Sequence, residues 1–138
     1  MNRSKWKTQF VVIDGNSKFH EKVRAILVSD TWLKALRAYQ EVPVDSLIGS
    51  YPSSRHRYDW YIEDLNLIIE LHGQQHYKRT NRGNVGYEQS VRDFRSLQAR
   101  DRQKKQAAID AGFRYLEIPY KEYSKLTTTR FKALILED

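Results

Sequence analysis

A chain of 138 residues, 40% hydrophobic and 30% charged with a mean hydropathy of −0.75, has the size for one globular domain under a very polar surface. It holds no cysteine, which excludes disulfides and thiolate metal sites and fits a reducing cytoplasm. No apolar run approaches the roughly 18 residues of a membrane span, the basic N-terminus lacks the apolar segment of a secretory signal, and the net charge is +7.

In chain order, the first sixteen residues start basic and include Phe10–Ile13, an apolar run that fits either an edge strand or an arm. Ser17 suits the N-cap of a helix over Lys18 to Ser29. Its apolar stripe is Phe19, Val23, Ile26 and Leu27, and His20 lies nearer that stripe than Glu21 does. Trp32 to Tyr39 reads as a short helical turn leading into a strand from Gln40 to Leu47, which Pro43 marks as an edge or a bulge. Gly49 to Arg57 is a loop whose Arg55, His56 and Arg57 suit phosphate contact or plain solvation.

The most informative stretch follows. Tyr58–Ile62 and Leu65–Leu71 are strand-type runs around Glu63-Asp64, a hairpin pattern, although Glu-Asp is a poor tight-turn pair and a longer loop fits it too. Asp59 and Glu70 occupy positions inside these runs where valine or isoleucine is expected. A buried carboxylate costs several kcal/mol unless it is paired or holds a cation. A pairing centred on Glu63-Asp64 sets Asp59 against Ile68, with Glu70 a diagonal step of roughly 7–8 Å away. His72, Gln75 and His76 come directly after. Carboxylate oxygens on neighbouring strands suit Mg2+ or Mn2+, and an imidazole adds a ligand or a base.

Residues 76–86 form a polar, basic loop with Lys78, Arg79 and Arg82. A long helix over Glu88 to Ala111 follows, ended by Gly112. Its stripe of Val91, Phe94, Leu97, Ala108 and Ala111 is interrupted on the inward side by Asp101 and then by Lys104 or Lys105. Asp101 there calls for a partner in the site, or else it pairs with Lys105 along the helix surface. From Lys78 to Ala107 nine basic residues stand against three acidic ones, a one-sided field suited to DNA. Phe113–Pro119 is a strand beside the hairpin, and residues 124–136 form a packing helix around the Thr127–Thr129 cap region.

An acid on one strand, then Glu70-Leu71-His72 on the next, resembles the PD-(D/E)xK nucleases, with His72 where that superfamily usually carries lysine. The Glu70–Tyr77 run E-L-H-G-Q-Q-H-Y is similar to the branch holding the very-short-patch repair endonucleases, the E-D-x-H-D homing endonucleases and related phage endonucleases. Arg100-Asp101-Arg102-Gln103-Lys104, Gly112 and the strand to Pro119 extend the likeness over about residues 17–120. The resemblance implies a restriction-endonuclease-like α/β fold, a central mixed sheet of about four strands flanked by helices, in one domain over residues 1–138. It implies a divalent-metal-dependent DNA endonuclease, a hydrolase of phage or homing type. The cation would be Mg2+ or Mn2+ on Asp59, Glu70 and the Leu71 carbonyl. His72, Gln75 or His76 would orient the water or the leaving oxygen, and Asp101 would hold a histidine or a second ion. His20 stands where the branch places a helix glutamate, a departure from its pattern. Lys78, Arg79, Arg82, Arg100, Lys104 and Lys105 would contact DNA phosphates, with a homodimer as a further expectation, in a bacterial or phage-infected cytoplasm. A catalytically inactive nucleic-acid-binding module on the same fold is the rival reading.

Overall fold

Strand alternation sets the architecture. In Leu67–His72 (β3), every residue is buried: Leu67, Ile69 and Leu71 enter one apolar layer and Ile68 the other. Such a strand must be covered on both faces. The computed structural model describes residues 18–72 and 87–137, the side chains at 87, 88 and 90 excepted. It shows an α/β layout, a four-stranded mixed sheet flanked by helices, as the restriction-endonuclease-like expectation requires. Ala38–Pro43 (β1), Arg57–Ile62 (β2), β3 and Arg114–Pro119 (β4) lie in the order β1-β2-β3-β4. The first two pairings are antiparallel and β3–β4 is parallel. The crossover that this parallel pair demands contains the long helix Tyr87–Asp110 (α4).

One layer is closed by Lys18–Ser29 (α1), Thr31–Ala35 (α2) and Thr128–Leu136 (α5), which contribute Phe19, Val23, Leu27, Leu33, Phe131 and Ile135 against Trp60 and Ile62. Full burial of one such side chain stabilises by about 1.5–3 kcal/mol. The four expected stripe residues of α1 are its buried ones. Asp30 caps α2 by accepting from the Leu33 N–H, and Thr127 caps α5 by accepting from Arg130. The other layer gathers Tyr39, Val42, Tyr58, Tyr61 and Ile68 under Ala108 of α4 and Val44 of the short helix Val44–Leu47 (α3). No described helix is long and apolar enough to cross a membrane.

Four expectations need correction. The helical turn expected over Trp32–Tyr39 is shorter, since Ala38 already pairs with Ile62. The strand expected to reach Leu47 stops at Pro43, which has no N–H to continue a ladder, and α3 follows. The hairpin loop runs over Glu63–Asn66, a 3-10 turn closed by Asn66 at φ 51°. That longer loop moves the register by two, so that Tyr61, and not Asp59, faces Ile68. On α4, Ala111 is exposed and Lys104 holds the buried place. Gly112 follows at φ 88°, the left-handed conformation of a helix C′ residue.

Candidate active site

The site begins with an interruption. The β1–β2 ladder pairs Gln40 with Trp60 and Val42 with Tyr58 but skips the Glu41–Asp59 step between them. The β2–β3 ladder ends at Trp60–Ile69, one step before Asp59 would meet Glu70. Glu41 has φ 55°, a left-handed conformation that costs a residue with a Cβ roughly 1–2 kcal/mol. Side-chain alternation resets here: Ala38 and Val42, and likewise Trp60 and Tyr58, fall in opposite layers despite their even spacing. Asp59 is thus released from both ladders. Its N–H donates to Glu70 Oε2 at 3.1 Å, while the Leu71 N–H donates to Asp59 Oδ2 at 2.7 Å. Each carboxylate holds the other strand's backbone.

Glu70 is buried at 3% exposure, and Lys104 at 8%. The Lys104 ammonium contacts Glu70 Oε1 directly and donates to the Arg57 carbonyl at 2.8 Å. The Tyr58 hydroxyl donates to the Lys104 carbonyl at 2.7 Å, fixing this turn of α4 against β2. Lys104 therefore brings an ammonium from the helix to the buried strand acid. Burial, and then the Asp59 charge, push the Glu70 carboxyl up to about 8 against the pull of Lys104. Asp59 is also raised, by burial first. Two acids this close and this dry favour a proton or a cation between them.

On the other side of Asp59, His20 Nε2 lies 3.6 Å from Asp59 Oδ1. One donor atom each from His20, Glu41 and Asp59 falls within 4.8 Å of the others, one nitrogen and two oxygens. Burial lowers the His20 pKa, against the opposing charges of Glu41 and Glu70. A neutral imidazole is the form that binds a metal. Glu41 went unnoticed in the sequence, although an acid inside a strand flanked by Tyr39 and Val42 is the signal that singled out Asp59.

The remaining candidates divide. His72 is buried, with Nδ1 3.6 Å from Glu117 Oε2. Glu117, opposite Glu70 in the parallel register, also pairs with Lys105 Nζ at 3.2 Å. The sequence reading missed Glu117 too, in the same guise of an acid within a strand. Asp101 is partly buried, and its charge joins those of Glu70 and Glu117 in raising the Tyr115 hydroxyl, which burial raises most. Leu71 reaches the site through its N–H. Arg100 is exposed one turn before Lys104. Gln75, His76, Lys78, Arg79 and Arg82 lie outside the described residues. The chain matches no protein-family model, no curated protein and no solved structure.

Proposed function

We propose that the chain is a divalent-metal-dependent endonuclease acting on DNA. The observation that carries this reading is the buried contact of Lys104 with Glu70, directly beside Asp59 where two ladders open. Such an arrangement is costly as pure structure, because a buried ion pair repays its desolvation only with good geometry. It is what a phosphodiester-cleaving site needs: carboxylates for a cation and an ammonium for phosphate charge.

The donor set fits a divalent cation. Asp59 would hold it with Glu70, or on its other side with His20 and Glu41, where the nitrogen donor favours Mn2+ over Mg2+. When bound, the cation polarises the scissile phosphate and lowers the pKa of the attacking water. Lys104 directs two donors to Glu70 and Arg57, and its third would be offered to a phosphate oxygen. His72, with Nδ1 3.6 Å from Glu117, would serve as the group that takes up or returns a proton. The basic run from Lys78 to Lys105 would hold the backbone and leave the base sequence unread. A second copy of the chain would serve to cut the second strand, in a bacterial or phage-infected cytoplasm.

The test is incubation of the protein with supercoiled and linear DNA in Mg2+, Mn2+ or chelator. Cleavage in metal that disappears in Asp59→Ala and Glu70→Ala supports the reading. Binding without cleavage in any metal would replace it with the inactive binding module.

A further inference from the structure

A second polar cluster borders Lys104. Tyr51, buried at 7% exposure, sets its hydroxyl 2.6 Å from Nδ1 of His56, with ring centroids 5.5 Å apart. Backbone contacts fix this segment: the Val44 N–H donates to the His56 carbonyl at 3.0 Å, and Lys104 Nζ donates to the next carbonyl, that of Arg57. Burial raises the Tyr51 pKa, so the phenol keeps its proton. In the tautomer in which Nδ1 accepts from the phenol, Nε2 carries the N–H of a neutral imidazole. Arg100 lies four residues before Lys104 on α4, hence on the same helix face, and it is exposed. Burial lowers the His56 pKa, and Arg100 and Lys104, both cations, lower it further. A half-buried donor that feels the positive charges of Arg100 and Lys104 is complementary to an anion.

We propose that His56, held by Tyr51 and flanked by Arg100, forms a subsite for one backbone phosphate next to the scissile one. The subsite rests on the nuclease reading, because Lys104 joins the two places, with Glu70 on one side and the His56–Arg57 segment on the other. Its ligand is a phosphodiester oxygen, so it positions the strand and carries no base preference.

The experiment measures binding of a labelled DNA duplex in chelator, with single neutral methylphosphonates scanned along one strand. The wild-type chain should lose about tenfold in affinity at the phosphate held by His56, since a hydrogen bond to a charged group is worth that much. His56→Ala and Arg100→Gln should each bind the unmodified duplex about tenfold more weakly and lose the sensitivity at that position. Should His56→Ala fail to fold, the exposed Arg100→Gln variant decides alone. Full sensitivity at the same position in the folded variants, or none at any position in the wild type, overturns the subsite. Cleavage in metal with unchanged sensitivity refutes the subsite and leaves the nuclease standing. Position-specific binding without cleavage refutes the nuclease and leaves the subsite. A folded wild type that binds no duplex refutes both.

Discussion

Removing one member of a buried charge pair strands the other. Above about pH 8, where Glu70 is ionised, Lys104→Met should therefore destabilise the fold by about 3–5 kcal/mol, because Glu70 loses its counter-ion in a dry position. Combining it with Glu70→Gln should return most of that loss, and chemical denaturation of the single and double variants checks the coupling. Glu70 also gives a pH signature. Its folded pKa of about 8 lies above the ordinary value of 4.5, so between those values the folded form binds more protons than the unfolded one. Stability must then fall as pH rises through that window and level off above it. His20 and His56, whose pKa values are lowered, act the other way below about 6.5. The quantity to read is thus the difference between wild type and Glu70→Gln in metal-free buffer. The variant should gain on the wild type from pH 5 to pH 8.5, and equal slopes would show that Glu70 is already ionised. Asp59 and Glu70 were legible as residues, because a carboxylate inside an apolar run is too costly to stand there without a partner. Lys104 was only half legible, as helical spacing left its inward place open between it and Lys105.

At the scale of elements, the consequential event is the double ladder opening at Asp59. Glu41 adopts φ 55° opposite it, and glycine would adopt that conformation without strain. Glu41→Gly should raise the thermal midpoint, by the equivalent of about 1 kcal/mol, while weakening Mn2+ binding. Calorimetry on the same preparation reads both, and unchanged Mn2+ affinity would remove Glu41 from the donor set. Gly112→Ala tests the opposite sign: nothing lies within 4 Å of an added Cβ, so the loss of about 1 kcal/mol is purely conformational. The helix end at Gly112 was readable because glycine after a periodic run has one common cause. The reset at Glu41 was not, since neither a left-handed backbone at glutamate nor a skipped ladder step leaves a mark in composition. The register failed for a related reason. Glu63-Asp64 gave a centre for the turn, but the left-handed Asn66 enlarged the loop and shifted every pairing.

For the whole molecule, charge governs encounter. A basic run flanking the acid pair should make DNA binding fall steeply with salt, by about 0.9 log units per log unit for each phosphate contact. Replacing Arg79 and Arg82 together should flatten that slope by about two contacts for every DNA sequence alike. An unchanged slope would move the binding surface to other residues.

The dispersal of the site along the chain carries a consequence for synthesis. Asp59 and Glu70 leave the ribosome first, whereas Lys104 follows within the long helix and the strand bearing Glu117 comes after it. A nascent chain that has formed only its hairpin holds the two carboxylates without the Lys104 ammonium that contacts Glu70. In the proposed reading, such a half-made nuclease is harmless to the DNA beside which it is translated. On that reading, cutting would wait for the helix to arrive and dock.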